Sequence, residues 1–182
     1  MPAATGRVTP GPGRVARVGS AERAWQNGEV PVLLIRHAHS GSRLENGRDD
    51  SERHLSSKGQ KQAGDLVGTL ERYVPQRIVS SPSVRCIETV EPLARLLRLP
   101  VETEQALAEG SWVAAIALVR SLAHEKVALC THGDVIAEIL VSLADEDHLD
   151  LGARPRQAKG SVWVLEASAN RFMRASYLPP LR

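Results

Sequence analysis

The sequence predicts an α/β fold of three layers, α/β/α, with a mostly parallel central sheet and helices on both faces. Short β-branched or aliphatic runs alternate with helical patterns along the chain, the order expected when a parallel sheet is covered by its crossover helices. At 182 residues, with 42% apolar and 24% charged residues, the composition is that of a globular domain large enough for a full core. The expected organisation is a flexible N-terminal tail over residues 1–28 and a single domain over residues 29–182.

Each element has a local reason. Residues 1–28 are rich in Gly, Pro, Ala and Arg without apolar periodicity, so they bury too little surface to offset the entropy of ordering. Val30 to Ile35 then reads as a first strand. The polar stretch between His39 and Leu55 lacks periodicity and follows directly on the strand end, where a functional loop is expected. Ser57 with Gln60 forms a possible capping box, ahead of Ala63, Leu66, Val67 and Leu70 at helical spacing. Arg77 to Ser80 is a second strand. Ser81-Pro82 reads as the N-cap and first position of a helix with Val84, Ile87, Val90, Leu93, Ala94 and Leu97 on one face. Ser111 caps a third helix to Leu122. Val127 to Thr131 is a third strand, Asp134 to Leu143 a fourth helix, and Ser161 to Glu166 a fourth strand. Trp112 and Trp163 are expected to pack against the core, and His124 and His148 to lie at the surface.

Charge and cysteine content narrow the function classes. The net charge of +2 resides in residues 1–29, which carry four Arg and two Glu, so the remainder sums to zero and offers no nucleic-acid footprint. Cys86 and Cys130 are too few for a disulfide framework and read as buried small hydrophobes. No apolar run approaches the length of a membrane span, so no membrane partner is expected, and a reducing cytoplasm is the expected compartment. Cysteine phosphatase chemistry is excluded, because Pro92 and Ile136 stand where a Cys-x5-Arg signature needs Arg. No Gly-x-Ser-x-Gly elbow is present, and Asp145-Glu146-Asp147 follows a helix, against an aspartyl-phosphate mechanism.

The chemistry concentrates at strand ends. The run Val32-Leu33-Leu34-Ile35 stops at Arg36-His37, where an open α/β sheet gathers its ligands, and a permanent cation beside an imidazole there points to anion chemistry. The third strand ends at His132-Gly133 and runs straight into a helix, whose first N–H groups and positive dipole end suit a phosphate oxygen. The second leads into a helix whose first turn carries Arg85. Phosphoryl transfer needs fixed positive charge on the nonbridging oxygens, which Arg supplies with its planar fork, and a neutral imidazole to attack. The neighbouring arginines oppose protonation of His37 and so keep its lone pair free. For that nitrogen to point at phosphorus, the other must donate to a fixed acceptor.

Leu34-Ile35-Arg36-His37-Ala38, then Arg53-His54-Leu55-Ser56-Ser57-Lys58-Gly59, Ser80-Ser81-Pro82-Ser83-Val84-Arg85 and Thr131-His132-Gly133 resemble, in order and spacing, the histidine phosphatase superfamily. The likeness spans roughly residues 30 to 140 and is nearest to phosphohistidine phosphatases of SixA type and to the phosphatase-like C-terminal domain of MutT-type (Nudix) hydrolases. It implies the phosphoglycerate-mutase-like version of the fold. It also implies that His37 becomes phosphorylated while Arg36, Arg85 and His132 form the phosphate pocket. Arg53 resembles a further pocket arginine of SixA-like members, and Arg43 is a rival for that role or an addition to it. Glu109, in Leu107-Ala108-Glu109, matches the general acid, with Asp134 a second candidate whose helix-start position favours a structural role. Ala38 replaces the usual Gly, which removes φ > 0 freedom. No cofactor or metal is implied. The substrate classes implied are a phosphorylated small molecule, a nucleotide or a phosphohistidine protein.

Two rival readings accompany this one. His37-Ala38-His39 also fits a metal-binding pair, with Asp49, Asp50 or His54 as further ligands, although Arg36 would put fixed positive charge beside a dication. Alternatively the fold hosts a phosphate-binding regulatory module without turnover.

Overall fold

The computed structural model describes residues 30–41, 50–152, 155–169 and 171–181. The tail 1–28 and Arg43 lie outside them. Among the described residues the strands are β1 (Val30–Arg36), β2 (Arg77–Ser80), β3 (Val101–Thr103), β4 (Val127–Thr131), β5 (Val162–Ser168) and β6 (Arg171–Leu178). The helices are α1 (Ser57–Leu70), α2 (Val84–Leu97), α3 (Trp112–Ser121) and α4 (Gly133–Asp147). The strands form one sheet in the order β3-β2-β4-β1-β5-β6. Strands β1 to β4 pair in parallel; β5 is antiparallel to β1, and β6 to β5.

Alternation along β1 divides the core in two. Val32 and Leu34 join Ala115, Val119, Ile136, Ile139 and Leu140 beneath α3 and α4. Leu33 and Ile35 join Leu66, Leu70, Val90 and Leu93 beneath α1 and α2. A strand whose successive side chains both reach apolar cover reads as a continuous hydrophobic run, which is why Val32 to Ile35 shows no polar residue. This is the expected three-layer α/β/α arrangement. The pairing register aligns the site: Arg36 is level with Thr131, and Ser80 with Cys130, so three strands open at the same edge.

Several local expectations are corrected. Ser56, not Ser57, caps α1: its Oγ accepts from the Gly59 amide, and Gln60 instead bonds through its backbone to Ser56 O. Ser83, not Ser81, precedes α2, which leaves Pro82 outside the helix, and Pro92 is accommodated within it. The fourth helix continues past Leu143 to Asp147 and stops at His148, which takes a left-handed conformation with φ 58°. Strands β3 and β6 were not foreseen. The first is three residues at an edge, none buried, and in β6 only Phe172 is buried, so neither carries a clear apolar pattern. Trp112 is 45% exposed at the start of α3, against the expectation of core packing, whereas Trp163 is buried, donates to Arg156 O and lies 5.3 Å from the Tyr177 ring.

Candidate active site

At the common strand edge a cavity of about 550 Å³ brings together Arg36, His37, Arg53, Arg85, Glu109 and His132. Each described candidate for the phosphate chemistry therefore lines one space. His37 continues the β1 ladder through its amide, which donates to Thr131 O at 3.0 Å. Its Nδ1 lies 2.8 Å from Ala38 O. A carbonyl can only accept, so Nδ1 carries the proton and the Nε2 lone pair is left for chemistry. The ring is buried, and burial lowers its pKa to about 3; the positive fields of His132, Arg85 and Arg36 push in the same direction, against the bond to Ala38 O. His37 is consequently a neutral imidazole at any physiological pH.

The loop after His37 is held from three sides. The Ala38 amide donates to Thr89 Oγ1 at 2.9 Å, and that hydroxyl donates to Arg85 O, which links the loop after His37 to the first turn of α2. Ser56 donates its amide to His39 O at 3.0 Å, and the His39 ring Nδ1 lies 2.7 Å from Ser56 Oγ. Gly59 packs so closely that a Cβ there would stand 2.0 Å from His39 O. Ala38 is absent from the positive-φ residues, which among the described non-glycine residues are Val74, Arg98, His148 and Ala169. The replacement of the usual glycine is thus free of backbone strain.

His132 sits across the cavity, its ring centroid 5.4 Å from that of His37 and nearly edge-on to it. Arg85 Nη2 donates to His132 Nδ1 at 3.2 Å, so the proton of the neutral ring resides on Nε2 and is directed at Ser81 Oγ, 2.9 Å away. Cys86 Sγ is 3.6 Å from the same nitrogen, so this cysteine, buried as expected, touches the site from below. Arg85 is 1% exposed and donates from Nη2 to Glu109 Oε2 at 3.0 Å. Glu109 itself is 41% exposed and stands on a turn pinned by the Gly110 amide to Asp134 Oδ2 at 2.9 Å. Asp134 accepts this bond from the start of α4 and also lines the cavity.

Arg36 donates to Gln157 O, and its guanidinium lies against Gly133, where a Cβ would be 2.8 Å from Cζ. Arg53 donates from Nη1 to Gly41 O at 3.1 Å. The Nε atoms of Arg36, Arg53 and Arg85 are buried donors without a partner, an unusual concentration in one cavity.

Residues beyond the sequence reading complete the walls. Gln157 and Lys159 line the cavity from the segment ahead of β5. Because β5 is antiparallel to β1, with Val162 opposite Ile35, its beginning rather than its end lies at the site edge. Gly160 N donates to Arg36 O and His37 O, and Gln62 bridges the two loops by accepting from His39 N and donating to Lys159 O. The metal-pair reading of His37 and His39 finds no geometric support. His54 bonds to Glu88, and no group of three or more His, Cys, Asp or Glu side chains among the described residues is arranged to hold an ion. Asp49 lies outside those residues. No described helix is long and apolar enough to cross a membrane.

The structure is thus a three-layer α/β protein with two histidines and three arginines gathered at one sheet edge. The family model of the histidine phosphatase superfamily (branch 1) matches residues 32–115, and the chain belongs to that superfamily. It is 31% identical over 158 residues to an 8-oxo-(d)GTP phosphatase of Mycolicibacterium smegmatis, covering 82% of this chain and 48% of that one, so it spans about half the length of the relative. The fold matches a SixA-type phosphohistidine phosphatase structure from Agrobacterium tumefaciens with a TM-score of 0.69, at 22% identity, over 83% of this chain and 98% of the other. It matches a protein histidine phosphatase SixA complexed with tungstate with a TM-score of 0.65, at 17% identity, over 84% and 96%.

Proposed function

We propose that this chain is a metal-independent phosphatase that works through a phosphohistidine on His37, with residues 29–182 as its catalytic domain. The observation that carries the reading is the His37 ring, held neutral by burial with Nδ1–H tied to Ala38 O and Nε2 facing three arginines and His132. In the first step Nε2 attacks phosphorus and the bond to the leaving oxygen breaks, or, in a phosphohistidine protein, the bond to the leaving imidazole nitrogen. Glu109 supplies the proton that the leaving atom takes. In the second step water attacks the phosphohistidine, the N–P bond breaks, the water proton returns to Glu109 and inorganic phosphate leaves.

Arg36 and Arg85 hold the nonbridging oxygens, where charge accumulates as the phosphoryl group transfers, and His132, accepting from Arg85 through Nδ1, orients that guanidinium in the pocket. Arg53 completes the pocket in this reading, since it lines the cavity. Substrates are a phosphomonoester, a phosphohistidine protein or a nucleotide phosphate. The likeness to a nucleotide phosphatase favours the last, and the likeness to SixA structures keeps the phosphoprotein in view. The test is a panel of p-nitrophenyl phosphate, a phosphohistidine protein and nucleoside phosphates with the wild type and His37→Ala. Turnover of at least one, abolished in a variant that keeps its thermal unfolding transition, is the expected result. Phosphate binding without turnover of any would favour a regulatory module instead.

A further inference from the structure

We propose that Asp50 is a positioning residue of this pocket, a carboxylate yoke that sets the spacing and orientation of Arg53 and Arg85. The ligand in question, an oxyanion, rests on the phosphatase reading; the role of Asp50 rests on geometry. Asp50 opens a short 3-10 turn, Asp50–Glu52. Its Oδ1 lies 3.0 Å from Arg53 Nη2 and its Oδ2 3.0 Å from Arg85 Nη2. Its backbone carbonyl accepts from Arg85 Nη1 at 2.5 Å.

The two arginines come from different elements, Arg53 from the residues after this turn and Arg85 from the first turn of α2, and Asp50 joins them, through its carbonyl to Arg85 and its carboxylate to both. Both are nearly fully buried, at 8% and 1% exposure, and like charges brought together away from water repel. A single carboxylate bridging them offsets that repulsion and aligns both donor forks. Arg53 and Arg85 line the cavity whereas Asp50 does not, so the bridge supports the forks without filling the anion site.

Arg85 Nη2 shows why the bridge decides orientation. It has two hydrogens and three acceptors within reach: Asp50 Oδ2 at 3.0 Å, Glu109 Oε2 at 3.0 Å and His132 Nδ1 at 3.2 Å. Without the Asp50 carboxylate the guanidinium is claimed by Glu109, which is more exposed, and turns away from Arg53. A bridging carboxylate that merely competed with phosphate would behave in the opposite way, so the sign of the effect separates the two roles.

The experiment is calorimetric titration of inorganic phosphate and tungstate, with p-nitrophenyl phosphate kinetics, on the wild type, Asp50→Ala, Asp50→Asn, Arg53→Ala and the Asp50→Ala/Arg53→Ala double variant. Asp50→Ala is expected to weaken both anions about tenfold and to raise KM in proportion, with kcat falling less than about threefold, while Asp50→Asn, which keeps volume and one acceptor, lies between. The double variant is expected to lose less than the product of the two single losses, because Asp50 and Arg53 belong to one bridge, while the part of the effect that Asp50 exerts on Arg85 persists. Unchanged or tighter anion binding in the Asp50 variants, or losses that multiply in the double variant, would overturn the inference. If Asp50→Ala loses its unfolding transition, Asp50→Asn carries the comparison. Wild-type protein that neither binds phosphate nor turns over substrate sinks the phosphatase reading as well; an active wild type with indistinguishable Asp50 variants sinks only the yoke.

Discussion

Replacing Gly133 by alanine separates the site from the fold that carries it. An ideal Cβ at Gly133 would lie 2.8 Å from Arg36 Cζ, 2.9 Å from Nε and 3.1 Å from Nη2. Ordinary carbon contacts need about 3.5–4.0 Å, so the guanidinium has to move by roughly 1 Å, and a displacement of that size at a reacting centre costs up to about 100-fold. Only the far end of a flexible side chain has to move, and Gly133 has no positive φ, so the backbone tolerates the change. As the first residue of α4, alanine lowers the entropy of the unfolded chain and gains up to about 1 kcal/mol. The expected result is a 10- to 100-fold fall in kcat/KM for p-nitrophenyl phosphate, with the urea midpoint unchanged or raised. Adding Arg36→Ala to Gly133→Ala should cost less than it costs in the wild type, since both act on one group. Wild-type kcat/KM in Gly133→Ala would refute the reasoning, as would activity lost only in proportion to unfolded protein.

Two further expectations concern protons. His37 has its pKa lowered in the folded state from the ordinary 6.5 to about 3, so the unfolded chain binds a proton that the native one refuses between these values, and stability is lost as the pH falls through that window. Urea unfolding at pH 6 and pH 4 should show this contribution as up to about 1.4 kcal/mol per pH unit, absent in His37→Gln; equal acid sensitivity in the two proteins would contradict a neutral buried ring. Glu109→Gln should slow poor leaving groups, such as alkyl phosphates, by about 100-fold while sparing p-nitrophenyl phosphate much more, because only a poor leaving oxygen needs the proton. Equal losses on both would remove Glu109 as the acid.

The legible part of the site was the part written at strand ends. Val32 to His37 and Val127 to His132 are parallel, adjacent and, Arg36 apart, buried, so their apolar runs and the polar residues that stop them could be read directly. Arg85 was legible for the same reason. Lys159 and Gln157 were not, since the rule about carboxyl ends of strands fails for β5, whose direction is set by pairing and not by its own residues. The acceptor for His37 Nδ1 is a backbone carbonyl one residue on, and a main-chain atom has no signature in the side-chain pattern. Ser57 stands next to the serine that caps α1, Ser56, whose Oγ accepts from the Gly59 amide, and adjacent hydroxyls carry no pattern that tells them apart. Trp112 shows the limit of residue type as a guide to burial, since its place on the first turn of α3 leaves it open to solvent.

The central claim is that the phosphoryl group passes through His37. Rapid acid-free quenching of the enzyme with substrate carrying labelled phosphate, followed by peptide mapping, tests it directly. The account predicts one labelled peptide, containing His37, with the base-stable and acid-labile bond of a phosphohistidine, and no label in His37→Ala. Label on another residue, or wild-type turnover with no labelled protein at any quench time, would contradict it.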